Sequence, residues 1–329
     1  MAWFVKGVEV VDDAAIISTD KTKFVMNDHL KVFEVPPSQA QGSVSGYTSG
    51  GYVPGSTLNT VQKFPFASDA NSTDVGDLSQ ARTYASGQSS STHGYTSGGL
   101  APPHQSRIDK FPFASDGNAS LVGGLSDSRS LLAGHTSTTA GYASGGFDTE
   151  APTGKTVIDK FLFASDGDGG TNIGDLTQAR QGVAGQSSVD FGYTSGGFNP
   201  PNYFNTIDKF PFATDASATD VGDLTQARYI ASGQNSNESG YTSGGNAPPY
   251  VDTIDKFPFA TDTNATDVGD LTDARGYSAG QSSTSSGYTA AGFSTITNTI
   301  DKFPFAADAN ATDVGDLLQS IYGPTGQQV

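Results

Sequence analysis

Residues 192–228 read GYTSGGFNPPNYFNTIDKFPFATDASATDVGDLTQAR. The stretch alternates short runs of aromatic and β-branched residues with clusters of Gly, Asn, Asp and Pro, and no run is long enough for a helix. With the GVAGQS string just upstream, four strands are expected: Gly182 to Ser187, Phe191 to Ser195, Thr206 to Ala213, and a short one from Val221 to Leu224. Four antiparallel strands make one small sheet with two faces to cover.

Working outward, the same wording recurs along the chain. The tyrosine of the GYTSGG-like string stands at Tyr47, Tyr95, Tyr142, Tyr193, Tyr241 and Tyr288, at spacings of 48, 47, 51, 48 and 47 residues. A KFPFA-like string follows each, with lysines at Lys63, Lys110, Lys160, Lys209, Lys256 and Lys302. Five arginines, Arg82, Arg129, Arg180, Arg228 and Arg275, each follow the Asp-rich turn. A period of this length with four strands per unit is the signature of a propeller blade. The expected fold is all-β, a six-bladed propeller with four-stranded blades.

The glycine pair closing the second strand (Gly196, Gly197), the aromatic third strand, the hairpin and the arginine opening the next unit resemble the kelch repeat. The resemblance covers the chain from about residue 38 onward. It implies a kelch-like propeller, and departs from that pattern in lacking the fourth-strand tryptophan, since the one tryptophan is Trp3. The paired phenylalanines are expected to fill that volume. The string KFPFASDANSTDVGDL (63–78) is also similar to kelch-type structural proteins of marine tailed phages.

A single blade cannot bury both faces, so the units must stack around an axis. Phe64 and Phe66 point to one face and Val61 to the other; each buried aromatic contributes roughly 1.5–3 kcal/mol before entropy. Proline inside FPF calls for a place without a ladder hydrogen bond, near a blade's outer side. The first unit lacks a first strand, and the C-terminal DLLQSIYGPTGQ overlays DLTQARYIASGQ, with Ile321 at the arginine position. The C-terminal strand is therefore expected to complete blade one. Charge agrees. Asp109, Asp159, Asp208, Asp255 and Asp301 precede the third-strand lysine in five blades, whereas blade one has Gln62. The five arginines are expected to pair with these five aspartates in the blades they open.

Residues 1–37 carry no repeat. Their apolar runs at Trp3 to Val11, Ala14 to Ile17, Lys23 to Met26 and Leu30 to Val35 suggest short strands in a docking or oligomerisation segment, with the propeller spanning 38–329. A degenerate seventh blade is the other reading, although the glycine pair and FPF string are missing.

Hydrophobic residues are 35% of the 329, and the formal charge is -17. Such acidity argues against a nucleic-acid partner. The absence of cysteine excludes disulfides, thiol catalysis and Cys-type zinc sites. The opening MAWFVKGVEVVDD does not read as a secretory signal, and no apolar run is long enough to insert in a membrane. No nucleotide loop, nucleophile elbow or zinc-protease motif occurs. The four histidines, His29, His93, His104 and His135, stand singly. The turn Asp69-Ala-Asn71 onward resembles a calcium loop only superficially, and Asx turns account for it. Neither cofactor nor metal is expected.

Two sets of residues remain as candidates. Gln88, His135, Gln186, Gln234, Gln281 and Gln327, on first strands, are expected to line the central channel and bond its water. The loops after the glycine pairs differ most between units, and such loops on one face are where propellers bind. Phe147, Phe198, Tyr203, Phe204, Tyr250 and His104 are the contacts they offer to a receptor or ligand, since exposed aromatics suit both sugars and proteins. The leading functional expectation is a non-enzymatic virion structural or adhesion protein of fibre, decoration or receptor-binding type. Residues 1–37 would dock to other virion proteins, the propeller would meet a host glycan or protein, and a homo-oligomer is compatible. A cytoplasmic kelch-type protein-interaction module is the alternative. A glycan-active propeller enzyme lacks a catalytic set.

Overall fold

The computed structural model describes residues 41–149 and 153–329, together with the backbone of four short strands nearer the N-terminus. The chain divides into Met1–Pro37 and Ser38–Val329. In the first unit Trp3–Val5 pairs with Val8–Val10, and Lys23–Met26 with Lys31–Glu34, both antiparallel. The run expected at Ala14 to Ile17 lies outside the described residues.

In the second unit six four-stranded antiparallel sheets follow one another. Blade four, the stretch quoted above, comprises Ala184–Ser187, Phe191–Ser195, Thr206–Pro211 and Thr219–Asp223. Its register is set by cross-strand pairs such as Tyr193 with Lys209 and Gly192 with Phe210. The glycine has a steric reason. A Cβ at Gly192 would strike the Phe210 ring, and the same contact recurs at Gly46 with Phe64. Phe212 N–H bonds back to Asp190 on the second-strand side, so the nitrogen of Pro211 faces the outer strand. Pairing with that strand has already ended at Lys209 and Thr219. Proline therefore costs no ladder bond there.

Blade faces meet in six apolar clusters. In one, Tyr193, Ile207 and Leu224 of blade four receive Phe257 and Phe259 of blade five; in the last, Tyr288, Ile300 and Leu317 of blade six receive Phe64 and Phe66 of blade one. The sixth cluster closes the circle: the molecule is a six-bladed β-propeller. The first phenylalanine of each pair is buried. The second, at the sheet's end, stays buried only as Phe66 and Phe113, and Phe163, Phe212, Phe259 and Phe305 are half-buried.

Blade one is assembled from both directions of the chain. Thr325–Gln328 pairs with Ser45–Ser49, Gln327 opposite Tyr47. The five arginines and aspartates form buried pairs: Arg82–Asp109 at 2.9 Å, Arg129–Asp159 at 2.9 Å, Arg180–Asp208 at 2.8 Å, Arg228–Asp255 at 3.1 Å and Arg275–Asp301 at 3.0 Å. Each aspartate also accepts bonds from the Ser or Thr that follows the buried leucine of the preceding blade, as Asp255 does from Thr225 N and Oγ1. In blade one the neutral Gln62 Oε1 takes bonds from Leu318 N (2.8 Å) and Ser72 Oγ (2.9 Å), while Ile321 is buried against the last apolar cluster.

The Asp-rich turns also link blades. Lys63, Lys110, Lys160, Lys209, Lys256 and Lys302 reach Asp116, Asp166, Asp215, Asp262, Asp308 and Asp69 of the next blade at 2.9 to 3.1 Å. Asn71 Oδ1 receives Asp316 N across a blade boundary, whereas Asp74 Oδ1 makes a local turn with Gly76 N. The turn asparagine thus serves the neighbouring blade rather than its own hairpin.

Candidate binding face

Antiparallel topology sorts the connections onto two faces. First-to-second hairpins and third-to-fourth turns lie on one; the variable second-to-third loops and the inter-blade links lie on the other. The chain enters the propeller on the turn face, where Gln41 Nε2 bonds Ser283 O at 3.0 Å and Asn235 O at 3.2 Å.

Six glycines ring the axis. Gly87, Gly134, Gly185, Gly233, Gly280 and Gly326 sit so tightly that a Cβ on any one would run into the carbonyl of its neighbour in the ring. A space of about 50 Å³ lies on the turn side of these glycines, bordered by Ser89, Thr136, Ser187, Asn235, Ser282 and Gln328. On the loop side lies one of about 110 Å³, bordered by residues such as Ala85, Ser86, Ser232, Ser278 and Thr325.

Of the six residues expected to line the channel, Gln88 and His135 border the turn-side space, and the side chains of all six are buried and bonded within the protein. Successive side chains on a strand point oppositely; with glycine facing the axis, the next residue must face away. Gln88, Gln186, Gln234, Gln281 and Gln327 are buried and donate to the carbonyls of Tyr142, Tyr241, Tyr288, Tyr47 and Tyr95 of the following blade, at 2.9 to 3.0 Å. His135 takes the same place, its ring nitrogens meeting Gln186 O (3.1 Å) and Ser144 Oγ (2.8 Å). Full burial pushes its imidazole down to about 4.

Over the loop-side space runs a closed belt of backbone bonds. Tyr84 N donates to Gly323 O, Leu131 N to Tyr84 O, Gly182 N to Leu131 O, Ile230 N to Gly182 O, Tyr277 N to Ile230 O and Gly323 N to Tyr277 O, at 2.6 to 2.9 Å. All six belt residues have positive φ, including Tyr84 (56°), Leu131 (58°), Ile230 (55°) and Tyr277 (55°).

An aromatic ridge crosses this face on the side of blades four, five, six and one. Phe198, Tyr203 and Tyr229 are in mutual contact at centroid distances of 4.8, 5.3 and 5.5 Å. The phenols of Tyr229 and Tyr277 lie close enough to perturb each other. Tyr277 then meets Tyr84 (5.1 Å) and Tyr322 (6.0 Å), and Tyr322 meets Tyr52 (5.2 Å) and Phe293 (5.2 Å), with Tyr250 beyond at 6.0 Å from Phe293. Burial first, and neighbouring phenols second, raise the pKa values of Tyr84 and Tyr277 well above the usual phenol range. Both stay protonated and able to donate.

Of the loop residues singled out from sequence, Phe198, Tyr203 and Tyr250 belong to the ridge. His104 and Phe147 form a separate edge-to-face pair at 5.4 Å between blades two and three. Burial lowers the His104 pKa. Phe204 is half-buried, and its backbone bonds Gly197 O and Arg228 N. Sequence reading missed Tyr84, Tyr229, Tyr277 and Tyr322. Each lies one or two residues past the arginine position, a signal that was available but is blurred by a shift of one between units.

Among the described residues no group of three or more His, Asp or Glu is placed to hold a metal ion. No protein-family model and no curated protein matches the chain. What fold and face define together is a six-bladed propeller with an asymmetric aromatic loop face.

Proposed function

We propose that the protein is a non-enzymatic, kelch-like binding propeller, carried on a virion as a structural or adhesion protein that presents its loop face to a host surface. The observation that carries the binding reading is the ridge. The axis glycines and the Lys–Asp turns repeat and hold the ring together, whereas the loop face breaks the sixfold pattern with a run of touching aromatics. Burial raises the pKa of Tyr84, Tyr229 and Tyr277 in the ridge, and phenols held protonated suit hydrogen bonding rather than proton abstraction. The virion assignment draws on the wording of residues 63–78, and docking through residues 1–37 on their lack of the repeat.

Electron microscopy of particles carrying the protein tests this reading. The loop face should point outward and the turn face toward the particle; a loop face buried in the particle would refute the assignment. Absence of capsid and tail genes beside the coding sequence would favour the cellular protein-interaction module instead.

A further inference from the structure

The position two residues past each axial glycine carries a hydrogen-bonding side chain in every blade: Ser89, Thr136, Ser187, Asn235, Ser282 and Gln328. Residues two apart on a strand share a face, so these side chains stand with the glycines at the axis, bordering the turn-side space of about 50 Å³. Ser89, Thr136, Ser187 and Ser282 are each more than nine-tenths buried. Their oxygens are already engaged. Gln328 N donates to Ser89 Oγ (3.0 Å), Ser89 N to Thr136 Oγ1 (3.1 Å), Thr136 N to Ser187 Oγ (3.0 Å) and Asn235 N to Ser282 Oγ (2.9 Å). A hydroxyl that accepts an N–H keeps its own proton to give. Among the described residues, none of these four hydroxyls donates to a protein acceptor.

The carbonyls of the glycine ring do not balance these donors. A Cβ on Gly134 would meet Gly87 O, and one on Gly185 would meet Gly134 O, so each oxygen is turned along the ring toward its neighbour's Cα–H. Among the described residues no carboxylate, lysine or arginine borders the space. Its wall therefore offers protons and leaves few acceptors for a guest's own. Water takes such protons but must also place the ones it carries; a monatomic anion accepts from every side and donates nothing. We propose that the turn-side end of the axis binds a halide ion, chloride in ordinary salt, through the O–H groups of Ser89, Thr136, Ser187 and Ser282. The net charge of -17 turns doubly charged oxyanions away more strongly than chloride. The site lies at the other end of the axis from the aromatic ridge and does not depend on what that ridge meets. Its hydroxyls come from blades two, three, four and six, so the site exists only in the folded ring, and occupancy stabilises that ring.

Thermal unfolding of the full-length protein is followed in sodium chloride, sodium bromide and sodium gluconate at matched ionic strength. The two halides should raise the melting temperature along a saturating curve, by about 5 °C at roughly a hundred-fold excess over the dissociation constant, and gluconate should not. Crystals grown without halide and soaked in bromide should show an anomalous peak on the axis, within hydrogen-bond reach of the hydroxyls. Ser187→Asp keeps an oxygen to accept Thr136 N but adds negative charge and gives up the donor, so it should abolish both the halide-specific rise and the bromide peak. Ser187→Asn, which copies blade five, keeps acceptor and donor and should retain both. If the aspartate variant fails to fold, the wild-type salt series and the bromide peak still decide. Water only on the axis of the soaked crystals, a rubidium peak there in place of bromide, equal melting in halide and gluconate, or an aspartate variant as halide-dependent as wild type would each overturn the inference. So would bromide bound at soaking concentration only, with no halide effect in solution.

Discussion

Arg228 and Asp255 place opposite charges where neither side chain is exposed. Removing one partner strands the other in a medium that cannot solvate it, so Arg228→Met alone should cost roughly 3–5 kcal/mol. Blade one shows how the same position is filled without charge, by Ile321 and Gln62. Accordingly, Arg228→Ile combined with Asp255→Gln should recover most of the loss in a denaturant-unfolding cycle, and additive single-site losses would contradict the coupling. His135 supports a second prediction at this scale. Its folded value of about 4 lies below the 6.5 of an ordinary imidazole, so between those values the unfolded chain binds a proton that the folded protein refuses. Stability is therefore full above pH 6.5 and falls as pH drops toward 4, by about 3 kcal/mol in total at 1.36 kcal/mol per unit. His135→Gln, the residue present in the other five blades, should remove that part of the acid sensitivity, read as a flatter unfolding midpoint against pH.

The element that decides ring geometry is the first strand of each blade. Gly233→Ala would drive a methyl group into the Gly185 carbonyl, which belongs to backbone fixed on both sides. A loss of about 3 kcal/mol is expected, at the upper end for overpacking, and a melting temperature equal to wild type would show that the ring can widen. These strands also mark what was legible beforehand. Strand order, blade count and the C-terminal strand of blade one could be read from Gly, Asn and Asp punctuation and from the paired loss of acid and base at Gln62 and Ile321. The partners of the glutamines were not legible, because the tyrosine carbonyls they bond belong to the following blade and meet them only once the ring is formed. The ridge was only half legible. Phe198, Tyr203 and Tyr250 stand in conspicuous loops, but Tyr84, Tyr277 and Tyr322 come together only when belt hydrogen bonds fold the inter-blade links over the axis.

At the scale of the molecule, the last strand holds the circle shut. Without residues 324–329 the Ser45–Ser49 strand becomes an open edge and Gln327 no longer bridges to Tyr95. Such an edge invites pairing with another chain, so the truncated protein should oligomerise on size-exclusion chromatography and lose protease resistance; a stable truncated monomer would argue against strand closure. The outer Lys–Asp ring contributes far less. These pairs are exposed, and raising salt should change stability by well under 1 kcal/mol for each.

The six glycines at the centre carry a consequence for how this protein can vary. With neighbouring first strands packed backbone against backbone, none of the six positions has room for a Cβ, so the sequence drift open to the loops is closed at these sites, where any replacement must push two blades apart at once.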